Sequence, residues 1–209
     1  IKGAMHHPEA CFREELEMKL QKQGISLGKQ KIENKGKHVL QIFTSPLLKD
    51  IVYCTNKNSV NLFAEALGKL VSPTDYAKTV KKELNTMGID SSGIMLKDAC
   101  GLSPANAVPA EVFTDLLIWA NKNLNDTFLV SLPQGDVDNG LRIYADHPFL
   151  RKCVRAKTGS MSGVRALSGY LKTQKGRILA FTIIVNNYVC DSEKIQQIMR
   201  DFLKMLAIE

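Results

Sequence analysis

The stretch Arg155-Ala-Lys-Thr-Gly-Ser-Met-Ser-Gly-Val164 lies where the chain changes from helical to extended character. The pattern in and after this stretch predicts three strands, at residues 153–158, 164–173 and 177–186. The last two are joined by Gln174-Lys175-Gly176, which is typical of a tight hairpin turn. Because residues 178–185 are apolar on both faces apart from Thr182, this strand is expected to be central in the sheet and covered on both sides.

Apolar spacing and end signals predict helices on both sides of this sheet region. An apolar stripe over residues 9–23 stops at Gly24, a residue type common just past a helix end. Ser72 as N-cap, followed by Pro73, predicts a helix that closes at Gly88. Further helices are expected at 47–54, 62–70, 110–123 and 192–207, and a short strand at 38–43. Helices, then a hairpin sheet, then a packing helix describe an α+β domain.

The composition is that of an ordinary globular domain, with 44% hydrophobic and 23% charged residues among 209. No apolar run approaches the roughly 20 residues needed to cross a bilayer, so no transmembrane segment is expected. The net charge of +7 would favour anionic partners such as nucleic acid or cell-wall polymer. The basic residues are dispersed, however, without blocks or interleaved aromatic residues, which favours a solvated surface over a nucleic-acid site.

The cysteines and histidines show no spacing typical of a zinc site, and neither a metal nor another cofactor is predicted. The five cysteines are far apart, which is typical of reduced thiols in a core, at Cys11, Cys54, Cys100, Cys153 and Cys190. Taken alone, this pattern would favour a cytosolic setting.

Four ordered segments resemble the motifs of one enzyme family. They are Asn58-Ser-Val-Asn-Leu-Phe-Ala-Glu65, Asp98-Ala-Cys-Gly-Leu-Ser-Pro-Ala-Asn106, Leu132-Pro133 with Asp138-Asn-Gly-Leu-Arg142, and Ala156-Lys-Thr-Gly-Ser160 continuing to Leu167-Ser-Gly-Tyr170. Together they resemble the C-terminal part of the low-molecular-mass class C penicillin-binding proteins, the D-alanyl-D-alanine carboxypeptidases and endopeptidases of peptidase family S13. Ala99 and Cys100 depart from the Gly-Ser that is commoner in the family's second segment, which makes Cys100 a candidate exposed thiol.

The resemblance implies a β-lactamase/transpeptidase-like α+β fold, with a helical region, an antiparallel sheet and a packing C-terminal helix, incomplete at the N-terminus. Residues 1–209 are then expected to form the C-terminal part of the catalytic domain. Residues 1–45 would be a boundary region near the end of a family insertion. Residues 46–130 would form the mainly helical part with Ser-x-Asn, and residues 150–209 the sheet part with Lys-Thr-Gly and the final helix.

Roles for the Lys-Thr-Gly segment follow from the same resemblance. Acyl transfer from a D-Ala-D-Ala terminus needs a nucleophilic serine, a base, an oxyanion hole and a cationic anchor for the free carboxylate. Lys157 would supply positive potential in the cleft, and Thr158 would donate to the terminal carboxylate. Gly159 would let the substrate lie against the strand edge, and the backbone N–H of Ser160 would be one oxyanion donor.

In the Ser-x-Asn segment, the resemblance implies that Ser59 relays a proton to the leaving amine and that Asn61 binds the peptide carbonyl of the substrate. Both residues also suit a helix start without any catalytic role, as Lys157-Thr158-Gly159 suits a strand that ends in a turn. The two motifs in family order favour the functional interpretation, and the side chains of Ser59 and Lys157 are then expected within about 3 to 5 Å of each other.

The third motif of such enzymes, a nucleophilic Ser-x-x-Lys, is matched only by Ser26-Leu-Gly-Lys29. A nucleophile must open a helix so that serine and lysine share one face, whereas glycines flank this segment. Gly24-Ile25 also resembles a family turn that follows the true nucleophile. We therefore reject Ser26 and expect that the chain lacks the nucleophile and is inactive alone.

The function expected from the resemblance is that of a serine-type D-Ala-D-Ala carboxypeptidase or endopeptidase that acts on peptidoglycan peptides and binds penicillin. Its partners would be peptidoglycan stem peptides and β-lactams, in the periplasm or cell envelope. One alternative is a non-catalytic relative that binds peptidoglycan peptides. A basic nucleic-acid-binding domain is a second, which a salt-dependent binding assay would identify.

Overall fold

The predicted hairpins form one antiparallel sheet of three strands in the order β1-β2-β3. The structure is a computed structural model, and it describes residues 7–26, 28, 41–124, 126–142, 144 and 147–208. The strands are β1 Val154–Met161, β2 Val164–Lys172 and β3 Ile178–Asn186. Lys157 lies opposite Ser168, in the middle of β1 and not at a strand end. Gly176, with φ +81°, closes the second hairpin where the sequence predicts its turn.

Helices precede and follow the sheet. Residues 110–123 form a helix with the bounds that the sequence predicts. The helices in chain order are α1 Pro8–Lys22, α2 Leu48–Asn58, α3 Asn61–Val71, α4 Tyr76–Thr86, α5 Ala110–Asn123, α6 Asp126–Ser131, α7 Asn139–Arg142, α8 Pro148–Cys153 and α9 Ser192–Ile208. None of the helices in the described ranges is both long and apolar enough to cross a membrane.

The chain divides into two compact units, residues 1–44 and residues 45–209. The first unit contains α1, which ends before Gly24 as predicted but buries none of its residues. Of the strand predicted at 38–43, residues 38–40 lie outside the described residues, and residues 41–43 form no strand. All further elements belong to the second unit.

The core of the second unit lies on both faces of the sheet. On one face, α8 and α9 bury Leu150, Met199 and Leu203 against Ala156 and Leu167. On the other face, α5 packs through Leu117 against Tyr170, whose hydroxyl donates to the Leu117 carbonyl at 2.6 Å. The sheet is therefore held between helices, the layered α+β arrangement that the sequence predicts.

Among the described strands β2 is the middle one and β3 lies at the edge, so the expected central position of β3 is not seen there. The expected cover on both faces is present. Phe181 and Ile183 join the core under α9, and Ala180 packs on the α5 side. A strand that is apolar on both faces indicates that helices cover both faces, but it does not indicate how many strands pair with it.

Two details of the helical part differ from prediction. The N-cap of α4 is Asp75, which accepts from the N–H of Lys78, while Ser72 accepts from the N–H of Asp75 one turn earlier. Because Asp75 caps the helix and Ser72 only caps the turn before it, the N-cap lies three residues later than predicted. Of the apolar face predicted at 62–70, Leu62, Phe63 and Leu70 are exposed, and α3 buries Gly68 against Tyr76 and Ala99.

None of the cysteines is fully buried, contrary to the expectation from their spacing, although Cys153 packs against the core. All five are free; Cys11 and Cys190 are exposed, and the other three, Cys100 among them, are partly buried.

Candidate active site

Ser59 lies in the two-residue link between α2 and α3, after the end of one helix and before the start of the next. Its backbone has φ 53° and ψ 49°, in the left-handed region. For a residue other than glycine this conformation costs about 1 kcal/mol, and it persists only where the surroundings enforce it. Asn61 is the first residue of α3, and its side chain is exposed.

Lys157 meets Ser59 across a long separation in sequence. Its ammonium Nζ donates to Ser59 Oγ at 2.9 Å, and also to the backbone carbonyl of Thr158 at 2.9 Å. The separation of the two side chains thus agrees with the distance predicted for proton-relay partners.

The charge of Lys157 has no counterion in the described part of the chain, where no carboxylate lies within ion-pairing distance of it. Its side chain is half-buried, and this desolvation lowers the pKa of Lys157 from its ordinary value. A half-buried cation without a counterion is suited to binding an anionic group of a ligand.

Backbone groups of β1 point outward at the same place. The Ala156 N–H donates to Pro133 at 3.0 Å and the Val154 carbonyl accepts from Gly135 at 3.2 Å, both on the side away from β2. Because backbone groups alternate sides along a strand, the N–H groups of Thr158 and Ser160 also point away from β2. No described backbone group pairs with them, so β1 has an open edge beside Lys157.

Side chains of the Lys-Thr-Gly segment divide between the two faces of the sheet. Lys157 and Gly159 lie on the α5 face, while Thr158 and Ser160 lie on the α9 face. Arg165 of β2 donates to the Ser160 hydroxyl and, at 2.6 Å, to Ser192 at the start of α9. The structure thus brings together Lys157, Ser59 and the outward N–H groups, but not the Thr158 and Lys157 side chains.

The second family-like segment forms a loop that caps itself. The carboxylate of Asp98 accepts from the N–H groups of Gly101 and Ser103 at 2.7 and 2.6 Å and from Asn106 Nδ2 at 2.8 Å. Desolvation raises the pKa of Asp98, but these hydrogen bonds outweigh it and hold the pKa below its ordinary value. Ala99 N–H donates to Glu65 of α3 at 2.9 Å, so the loop is fixed to the helix that follows Ser59.

Ser26 lies in irregular, exposed backbone after α1 and not in a helix, while Leu27 and Lys29 lie outside the described residues. No group of three or more metal-ligating side chains occurs in the ranges that the structure describes.

Comparison of the sequence with known proteins identifies the family of the chain. The model of the D-Ala-D-Ala carboxypeptidase 3 (S13) family matches residues 1–207. A D-alanyl-D-alanine carboxypeptidase of an Actinomadura species is 35% identical over 182 residues, covering 78% of this chain and 33% of the relative. The D-alanyl-D-alanine carboxypeptidase DacB of Haemophilus influenzae is 28% identical over 202 residues, covering 88% of this chain and 42% of the relative. The chain thus spans well under half the length of these relatives.

Solved structures agree with this result. Penicillin binding protein 4 (dacB) from Haemophilus influenzae, in complex with a β-lactam, superposes with a TM-score of 0.85 at 27% identity, covering 99% of this chain and 53% of that one. The TLA-1 extended-spectrum β-lactamase superposes at 0.62 over 78% of this chain and 64% of its own, with 16% identity, which is a likeness of fold alone. The fold is therefore of the β-lactamase/transpeptidase-like type that the sequence predicts.

Proposed function

Because the chain belongs to the D-Ala-D-Ala carboxypeptidase 3 (S13) family, we propose that it forms the carboxylate-binding and proton-relay side of a serine D-Ala-D-Ala peptidase site. The observation that carries this proposal is the contact of Lys157 Nζ with Ser59 Oγ at 2.9 Å. This contact lies beside the open edge of β1, where an extended peptide can pair with the strand.

Each group has a defined task in this proposal. The peptide terminus lies along β1, its free carboxylate attracted by Lys157 and hydrogen-bonded by the outward backbone N–H of Thr158. Gly159 presents no side chain to the substrate, and Asn61 binds the peptide carbonyl of the substrate. The outward N–H of Ser160 stabilises the negative oxygen that forms when the scissile carbonyl is attacked.

Acyl transfer then proceeds in two steps. A serine Oγ bonds to the carbonyl carbon and loses its proton to a base, the C–N bond breaks, and the leaving D-alanine amine takes a proton from Ser59 Oγ. Lys157 restores a proton to Ser59 and regains one from the protonated base. Water later hydrolyses the ester, returns a proton to the serine Oγ and releases the shortened peptide. A β-lactam would acylate the same serine, with its ring nitrogen as the leaving group.

The nucleophile in this proposal is not Ser26. We place it in polypeptide beyond the 209 residues, because Ser26-Leu-Gly-Lys29 is the only Ser-x-x-Lys in the sequence and Ser26 does not open a helix. A substrate with the chemistry of peptidoglycan stem peptides assigns the protein to the cell envelope, outside the cytoplasm. Residues 46–130 and 150–209 would then be two parts of one catalytic domain.

Intact-mass spectrometry after incubation with benzylpenicillin tests this proposal. The 209-residue chain is expected to gain no mass, whereas the full-length protein, the entire natural polypeptide that carries the chain, gains one penicilloyl group. A penicilloyl group mapped to Ser26 would overturn the assignment of the nucleophile. Binding of a D-Ala-D-Ala peptide by the full-length protein without any adduct would instead favour a non-catalytic peptidoglycan-binding relative.

A further inference from the structure

A second lysine, Lys57, lies in the last turn of α2, two residues before Ser59. Its Nζ is 2.9 Å from Asp138 Oδ2, and the two side chains are only 11% and 20% exposed. The ring of Tyr53, one helical turn earlier, has its centroid 5.6 Å from the same Nζ. Because Lys57 is paired and nearly enclosed, it is not available as an anchor for an anionic substrate, unlike Lys157.

Asp138 connects this pair to the strand that carries Lys157. The Oδ2 atom that accepts from Lys57 also accepts the Gln134 N–H at 2.7 Å, which closes the turn of residues 134–138. Residues on both sides of Gln134 are hydrogen-bonded to the outer edge of β1, as the Pro133 and Gly135 contacts with that strand show. The ion pair therefore joins the end of α2 to the outer edge of β1.

A neutral hydrogen bond runs parallel to the ion pair. Asn56 Nδ2 donates to Ser131 Oγ at 2.8 Å, and this hydroxyl in turn donates to the Phe128 carbonyl at 2.6 Å. Ser131 is 1% exposed, so its hydroxyl depends on these partners. Asn56 and Lys57, successive residues of α2, are thus both bonded to the segment 131–138. Together they fix the position of the last turn of α2 along its axis and its rotation about that axis.

Ser59 depends on the last turn of α2 because its backbone is in the left-handed region. A left-handed serine relaxes when the preceding turn is free to move, because its conformation is unfavourable by itself. The ion pair of Lys57 and Asp138 holds the last turn of α2 in place relative to β1. It thereby sets the distance between Ser59 Oγ, just after this turn, and Lys157 Nζ on β1. A displacement of about 1 Å at such a pair is enough to reduce proton transfer by up to ~100-fold.

We propose that Lys57 and Asp138 are positioning residues, which hold Ser59 at hydrogen-bonding distance from Lys157. This inference rests on the proposed function, since it gives the ion pair a role in the same reaction. Neither residue touches the substrate: both act through Ser59.

The test compares steady-state kinetics on a D-Ala-D-Ala peptide for variants of the full-length protein. Lys57→Met removes one charge and leaves Asp138 unpaired, so the double variant Lys57→Met/Asp138→Asn is the main subject. We expect the double variant to fold, as judged by circular dichroism, and to lose roughly 10- to 100-fold in kcat with KM changed less than about threefold. Lys57→Arg, which can still pair with Asp138, is expected to keep most of the activity.

Control variants separate this inference from the proposed function. Lys49→Met removes an exposed lysine from the same helix and is expected to leave kcat unchanged. Ser59→Ala and Lys157→Ala test the reaction itself. If they lower kcat and the folded double variant does not, the positioning role is wrong and the proposed function stands. If Ser59→Ala and Lys157→Ala leave kcat unchanged, the proposed function is wrong, and the positioning role that rests on it is wrong as well.

Discussion

Lys157 contacts Ser59 and Lys57 precedes Ser59 by two residues, and their surroundings give the two lysine side chains different properties. Lys57 has a carboxylate 2.9 Å away, whereas Lys157 contacts a hydroxyl and a carbonyl, both neutral. A cation that is already neutralised adds little attraction for an anion, and one that is desolvated without a counterion adds much. The pairing state of each lysine therefore indicates its use.

The pH dependence of acylation tests the assignment of Lys157. Desolvation lowers the pKa of Lys157 below 10.5, so its positive charge, and with it carboxylate binding, is lost at lower pH than for an ordinary lysine. Between the folded and the unfolded pKa the unfolded chain binds more protons, so this group makes folding more favourable as pH rises there. The alkaline limb of kcat/KM should reflect the folded value.

Lys157→Arg provides the control, because guanidinium stays charged over the accessible pH range. The alkaline limb is expected to move to higher pH or to disappear in this variant, whatever its absolute activity. A limb at the same pH in both proteins would show that another group titrates and that the charge of Lys157 does not control binding.

Among the secondary-structure elements, the paired strands β1 and β2 set the position of the Lys-Thr-Gly segment, and Gly169 sets their separation. A methyl group at Gly169 would lie 2.5 Å from the Ala156 Cα and 2.7 Å from its Cβ, the neighbour of Lys157. These are backbone and short side-chain atoms, which cannot rotate away. The close approach of the two strands therefore requires glycine at this position.

Gly169→Ala is expected to destabilise the protein by about 1 to 3 kcal/mol, the cost of overpacking, and to lower activity by displacing β1. Thermal unfolding and acylation kinetics measure both effects. Gly140→Ala, in α7 at a position where an added methyl would meet nothing within 4 Å, is the matched control and should keep the activity and lose no stability. Equal stability of the two variants would contradict the packing described between β1 and β2.

The elements differ in how far the sequence predicts them, for physical reasons. The helix at 110–123 and the hairpins have strong local signals, in apolar spacing and turn glycines, and the structure has them nearly as predicted. The predicted start of α4 at Ser72 is wrong, because Ser72 and Asp75 both accept capping hydrogen bonds and the local sequence pattern does not show which of them begins the helix. The edge position of β3 depends on strand pairing between distant segments, which periodicity does not encode.

At the scale of the whole molecule, the candidate site joins parts of the second unit that are far apart in sequence. Family motifs predicted that Ser59 and Lys157 would meet, because those motifs carry long-range information that composition lacks. The pair Lys57 and Asp138 was not predicted: a lysine and an aspartate 81 positions apart are ordinary residues until folding brings them together. In the sequence, Asp138 stands out only as part of a family-like segment.

The central claim is that Ser59 and Lys157 act as one unit in acyl transfer, and a double-mutant cycle on the full-length protein tests it most directly. The rate of acylation by benzylpenicillin is measured for the wild type, Ser59→Ala, Lys157→Ala and the double variant, with Lys172→Met, an exposed lysine at the end of β2, as control. Each single variant is expected to lose about 100-fold, the scale for a positioned electrostatic or proton-transfer group, and the double variant little more than either single one. Single variants that acylate like the wild type, or losses that simply multiply in the double variant, would contradict the claim.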